Sequence, residues 1–181
     1  SCDSLKTLPP EFGNLISLTT LNLHSCYSLK TLPSEIGKLT SLTTLNVHSC
    51  DSLKTLPPEI GNLTNLEKLI LTKCSSITEL PSEIGNLTKL DKLILTKCSS
   101  LTELPSEIGN LTNLTVLKLC VLKIDSFPEE IYNLTNLGVL DLNSCQVRDL
   151  NIEYITCRNE ELGYLDIKNC PTGSGYKIDD F

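Results

Sequence analysis

The 181-residue chain contains no methionine and no tryptophan, and only three phenylalanines and five tyrosines. A core built from bulky aromatics is thereby excluded, and whatever is buried must be aliphatic. Basic residues are outnumbered, with 15 Lys and Arg against 22 Asp and Glu, giving a net charge of −7 and a pI near 4.8. That balance argues against a nucleic-acid binder, which would normally show a basic face, and no nucleic-acid partner is expected. No apolar run is long enough to span a bilayer, so no membrane partner is expected within this stretch. No signal peptide opens the chain. An initiator methionine is also missing and Ser1 falls inside a repeat unit, so the expectation is a piece of a longer protein. Missing targeting signals then say little about the parent.

What the chain has in quantity is repetition. Residues 80–103, LPSEIGNLTKLDKLILTKCSSLTE, are followed at once by another LPSEIG. Aligned on cysteine, the copies place Cys2, Cys26, Cys50, Cys74 and Cys98 at intervals of 24, then Leu122, then Cys145 and Cys170 after 23 and 25 residues. Apolar residues keep the same phase in each unit, in the second copy Leu29, Leu32, Ile36, Leu39, Leu42, Leu45 and Val47. Neither a helical period nor strict alternation describes the whole unit. Only its end, Leu42-Thr-Thr-Leu45-Asn-Val47, alternates as a short half-buried strand does. The Pro-x-Glu-Ile-Gly stretch has room for one helical turn or a 3₁₀ segment.

The consensus, L-x-x-L-x-L-x-x-C-x-x-L-x-x-L-P, is identified as a leucine-rich repeat. A single unit cannot bury its leucines, but stacked units share a continuous core with one parallel strand per coil. The predicted fold class is therefore an α/β solenoid: a leucine-rich repeat horseshoe with a parallel sheet on the concave face and short 3₁₀ or helical turns on the convex face. Seven strands are predicted, at Leu18–Leu23, Leu42–Val47, Leu66–Leu71, Leu90–Leu95, Leu114–Leu119, Leu137–Leu142 and Leu162–Ile167. One repeat domain over 1–170 is expected, with 171–181 a tail or partial cap. Between them Asn151-Ile-Glu-Tyr-Ile-Thr-Cys reads as a true helical turn or two, with Leu150, Ile152 and Ile155 facing inward.

Nine cysteines in a secreted protein invite a disulfide framework. Here Cys26, Cys50, Cys74, Cys98, Cys145 and Cys170 recur at one structural position, in the turn after each strand. Their side chains should point together into the core rather than toward one another, as a bridge requires. A thiol fills that slot as a small apolar group with a weak donor for a turn carbonyl. Reduced structural thiols imply a reducing compartment, and the expected location is cytoplasmic. Cys120 and Cys157 lie off the ladder.

The run SLKTLPSEIGKLTSLTTLNVHSC, Ser28–Cys50, resembles the repeats of plant intracellular (NBS-LRR type) disease-resistance receptors and related moss proteins. The likeness covers residues 1 to about 143 closely and the rest loosely. Extracellular plant receptor kinases usually carry N-x-L-x-G-x-I-P. Thr31, Glu79 and Glu103 stand where that glycine would be, and cysteine replaces asparagine. F-box proteins also end repeats on cysteine, but Leu80-Pro81 breaks their pattern after Cys74-Ser-Ser-Ile-Thr-Glu79. The resemblance implies a role in defence signalling.

Other features are explained by the repeat. His24 and His48 share a column at a spacing that would suit a metal, yet the next members are Thr72 and Thr96 and zinc wants four ligands; they read as exposed side chains copied by duplication. Glu11, Glu35, Glu59, Glu83, Glu107 and Glu130 each follow a proline by two positions, where a carboxylate suits the start of a helical turn. Asn-Leu-Thr sequons at Asn62, Asn86, Asn110, Asn113 and Asn133 come from the repeat itself. No phosphate-cradling glycine loop, metal-ligand spacing or nucleophile with a base is present, so neither enzymatic activity nor a cofactor is expected.

Recognition remains. Side chains between the inner leucines of each strand face solvent. One such column reads Thr20, Thr44, Lys68, Lys92, Val116, Val139, Tyr164; the next reads Asn22, Asn46, Ile70, Ile94, Lys118, Asp141, Asp166; the third reads His24, His48, Thr72, Thr96, Cys120, Asn143, Lys168. The candidate interface is the apolar path Ile70, Ile94, Val116, Val139 and Tyr164, with Lys68, Lys92 and Lys118 beside it and Asp141 and Asp166 closing the far side. A protein ligand on this concave face is the expected partner, although drift after block duplication would give the same variation. Three readings stay open: the ligand-sensing domain of an intracellular immune-type receptor, a non-catalytic scaffold or adaptor, and the substrate-docking part of a ubiquitin ligase.

Overall fold

The computed structural model describes residues 4–147 and 150–170. Cys2 and the tail at 171–181 lie outside the described residues. Seven strands form one sheet: β1 (Thr20–His24), β2 (Thr44–His48), β3 (Lys68–Thr72), β4 (Lys92–Thr96), β5 (Val116–Cys120), β6 (Val139–Asp141) and β7 (Tyr164–Asp166). They pair in sequence order, every neighbour parallel and in register at the repeat interval, Leu45 opposite Leu69 and Leu69 opposite Leu93. Six 3₁₀ turns (Pro10–Asn14, Ser34–Lys38, Pro58–Asn62, Ser82–Asn86, Ser106–Asn110 and Glu129–Asn133) precede β1 to β6, and the last coil carries α1 (Ile152–Arg158) instead. The fold is the expected leucine-rich repeat solenoid.

The strands start two residues later than the alternation predicts. Leu18 and Leu42 donate their N–H groups to Leu15 and Leu39 of their own coils, closing a turn before the ladder begins. Asp141 and Asp166 also end β6 and β7 early, each accepting a backbone N–H two residues on, from Asn143 and Lys168.

Packing follows from three devices repeated in each coil. The strand leucines and the leucine or isoleucine of each 3₁₀ turn fill one continuous aliphatic core, with Leu45, Leu69, Leu93 and Leu117 wholly buried. The residue just before each ladder position takes a left-handed conformation, from Ser25 at φ 54° to Asn169 at φ 60°, and throws the next side chain inward. That side chain is the ladder cysteine, or Leu122 after Val121. Cys50, Cys74 and Cys98 donate to the carbonyls of Leu23, Val47 and Leu71 one coil back, at 3.6–3.7 Å. Each also reaches the last carbonyl of its own strand.

The third device is the glutamate of each 3₁₀ turn. Each turn follows a proline and holds its glutamate in the first turn, where a carboxylate suits the start of the turn. There Glu35, Glu83 and Glu107 accept from the neighbouring serine hydroxyl. Their backbones seat against the glycine of the preceding coil.

In the last coil Ile155 is buried and Leu150 packs on the core, as expected. Ile152 is half-buried and is not among the residues packed on the core. Asn151 caps α1 through Tyr154 N–H at 2.9 Å. Buried Asn159 accepts Leu137 N–H at 2.8 Å and donates to the Ile155 carbonyl at 2.9 Å, stitching the helix end to the strand before it. Among the described residues, no helix is long and apolar enough to cross a membrane.

Candidate protein-binding face

The sheet register builds the three predicted columns. Lys68 lies opposite Lys92, Ile70 opposite Ile94 and Thr72 opposite Thr96, so β3 and β4 present one tile twice. Val116, Val139 and Tyr164 are likewise adjacent in register on β5 to β7. The apolar path is therefore two straight rows in different columns, stepping across between β4 and β5 where Ile94 meets Lys118 and Lys92 meets Val116. Its residues are half-buried except Tyr164, which is 46% exposed.

Lys118 does not lie beside the path as a free charge. It stands in the second column and forms an ion pair with Asp141 at 3.8 Å. By contrast Lys68 and Lys92 have no ion-pair partner among the described residues. Asp166, in register with Asp141, collects Lys168 N–H at 2.9 Å, Tyr164 hydroxyl at 3.3 Å and Asn143 amide at 3.4 Å. The backbone N–H of Lys168, joined by the Asn143 amide and the Lys168 charge, holds its carboxyl below the ordinary carboxylate range and so ionised at neutral pH.

Most of the inward-facing thiols are held in their protonated form, Cys98 being shifted the other way by its hydrogen bond with Cys74. Burial pushes Cys50 up to about 12 and Cys145 to about 11. A hydrogen bond with Cys98, then burial, raises Cys74. Cys120 is half-buried in the third column; burial and a bond to Asp141 push it to about 12. Cys170 is half-buried and donates to the Leu142 carbonyl at 2.8 Å, while Cys157 is exposed. All eight described cysteines are free.

His24 and His48 stack with ring centroids 4.7 Å apart and planes 6° from parallel. Their in-plane nitrogen lone pairs run alongside each other and do not converge on one ion. Among the described residues no group of three or more His, Cys, Asp or Glu has metal-binding geometry.

One feature escaped the sequence. A cavity of about 380 Å³ on the opposite side, between the sixth 3₁₀ turn and α1, is lined by Glu129, Tyr132, Asn133, Asn151, Tyr154 and Arg158. Tyr132 and Tyr154 meet edge to face at 4.9 Å, and Arg158 stacks on Tyr154 at 5.2 Å. The replacement of the repeat's glycine by Tyr132 was the available signal.

A solenoid of in-register parallel strands, leucine core and 3₁₀ turns defines the class. A family model described as a leucine-rich repeat region matches residues 1–95 and 49–165, and the chain belongs to the leucine-rich repeat family. Comparison with curated proteins returns no match. Among solved structures it is similar to a leucine-rich repeat protein of Leptospira interrogans, at 29% identity and TM-score 0.68, covering 95% of this chain and 54% of that one. The leucine-rich repeat domain of the type III effector XopL is 26% identical, with TM-score 0.76, covering 90% of this chain and 57% of that one. The Arabidopsis receptor kinase HAESA, in complex with the peptide hormone IDA and the co-receptor SERK1, is 26% identical, with TM-score 0.62, covering 91% and 32%. The chain thus spans just over half the length of the first two and about a third of the last. The fold is consistent with a protein-binding module.

Proposed function

We propose that this chain is a protein-recognition module whose ligand lies on the concave face, and that it serves as the ligand-sensing part of an intracellular immune-type receptor. The observation that carries the binding reading is the pairing of an invariant frame with a changing face. The leucines and cysteines recur coil after coil, while the solvent columns run from Thr and Asn through Lys and Ile to Val, Asp and Tyr. A partly exposed apolar row beside unpaired charges is the anatomy of a protein interface. The likeness to HAESA, solved with a peptide hormone, supports a polypeptide ligand. The free, buried cysteine ladder supports a reducing, cytoplasmic setting. The likeness of Ser28–Cys50 to plant disease-resistance repeats supports the defence role.

Peptides selected from a displayed random library on the wild-type domain provide the test. Ile94→Asp is expected to weaken the selected binders at least about tenfold with little change in melting temperature, because the side chain lies outside the core. Binders indifferent to Ile94→Asp would place the interface elsewhere, first of all on the lateral glutamate stripe. Mass-shift labelling of thiols in protein from its native cells tests the compartment; oxidised cysteines there would overturn the cytoplasmic reading.

A further inference from the structure

The concave face carries charges without an ion-pair partner in its middle and at its C-terminal edge. On β3 and β4 Lys68 and Lys92 are paired in register, and neither has an ion-pair partner among the described residues. On β6 and β7 two carboxylates are paired in register; Lys118 forms an ion pair with Asp141, whereas Asp166 has no ion-pair partner among the described residues and feels only the nearby Lys168 charge. Asp166 is held in place by three donors. Between these two places run Ile94, Val116 and Val139, none of them charged.

Resting on the concave-face reading above, we infer that the ligand is an extended peptide segment with an acidic side chain at one end, an apolar middle and a basic side chain at the other, its acid over Lys68 and Lys92 and its base over Asp166. Three or four strand steps separate these ends, roughly 14–19 Å at about 4.8 Å per step. An extended chain advances about 3.3 Å per residue, so the two charged residues stand about four to six positions apart. The Lys118–Asp141 pair acts as a spacer: it fills the second column with a satisfied charge pair and offers the middle of the ligand nothing to recognise but the valine row. A ligand with two acidic ends would set one of them against Asp166, and one with two basic ends would crowd the lysines, so like-charge repulsion supplies the discrimination.

Four capped synthetic heptapeptides sharing a leucine and valine middle test this, with end residues Glu and Lys, Glu and Glu, Lys and Lys, or Gln and Gln. The Glu/Lys peptide is expected to bind the wild-type domain at least about tenfold more tightly than the other three at low salt, the gap narrowing as salt rises. Lys68→Glu with Lys92→Glu should reverse the order in favour of Lys/Lys. Asp166→Asn, which keeps an acceptor for the Lys168 N–H, should bring Glu/Glu level with Glu/Lys. Four peptides binding alike overturn the inference, and so does a failure of all four to bind at millimolar concentration. If they bind alike and Ile94→Asp abolishes binding, the charge ordering alone is wrong. If Ile94→Asp changes nothing, the concave face is not the site at all.

Discussion

A β-carbon added to Gly61 would lie 2.6 Å from the carbonyl oxygen of Glu83 and 2.8 Å from its β-carbon, one coil further on. Gly37 and Gly85 meet Glu59 and Glu107 in the same way. The obstacle is backbone on both sides, so a methyl group there has to push two coils apart. Gly61→Ala is therefore expected to destabilise by about 1–3 kcal/mol, as overpacking does. Denaturant unfolding measures it, and a neutral result would mean the coils slide past each other freely.

The cysteine ladder makes two predictions. Cys74 is wholly buried and its thiol already has two carbonyl acceptors, from Val47 and Thr72. Cys74→Ser places a more polar group in that slot and should cost roughly 1–3 kcal/mol. In the native state, a thiol reagent should label exposed Cys157 quickly and Cys26, Cys50, Cys74 and Cys98 slowly; rapid labelling of all of them would refute the buried ladder.

Alkali probes the same thiols from the other side. Folded Cys50 and Cys145 titrate at about 12 and about 11, above the ordinary value of 9.0. Their raised values mean the unfolded chain loses its protons first. Stability is full below pH 9 and falls as the pH climbs from 9 toward 12. A melting temperature that stays flat over that window would contradict it.

Val121 adopts φ 58° although it is β-branched, a conformation that Ser25, Ser49, Ser144 and Asn169 reach at the same point of other coils. It is 44% exposed, so its side chain contributes little to the core. Val121→Asn should raise stability by about 1 kcal/mol by relieving the left-handed strain. Thermal unfolding of the single variant decides the matter.

Asn159 offers a last test. Replacing it with Leu strands the buried Leu137 N–H, which now donates to its side chain. A loss of about 1–3 kcal/mol is expected, concentrated in faster hydrogen exchange of α1 and β6.

The frame was legible because it is periodic. Leu45, Leu69 and Leu93 occupy equivalent positions in 24-residue units, and parallel in-register pairing turns equivalence in sequence into adjacency in space. The columns containing Lys68, Ile70 and their neighbours were legible for the same reason. What escaped was set by contacts between unlike coils. The Lys118–Asp141 pair needs one particular residue beside another, and no period announces it. The glutamates showed only half their role: the sequence places a carboxylate at the start of each turn but does not reveal that its backbone packs against the glycine of the preceding coil. Asn159 and Tyr154 belong to the one coil that carries α1 in place of a 3₁₀ turn, and Tyr132 to the turn that packs on it, so there was no second copy to read them against.

Copies three and four present the same residues from Lys68 to Ser76 and from Lys92 to Ser100. Every junction between consecutive coils at this point is built from the same leucine, cysteine and glycine contacts. Unequal crossing-over in the gene can accordingly delete or insert one whole coil here and leave each surviving junction intact. The protein's offspring would fold as before while its reading frame for a ligand lengthened or shortened by one strand. Such a chain can explore new partners by changing how many coils it has, without first losing stability to new side chains.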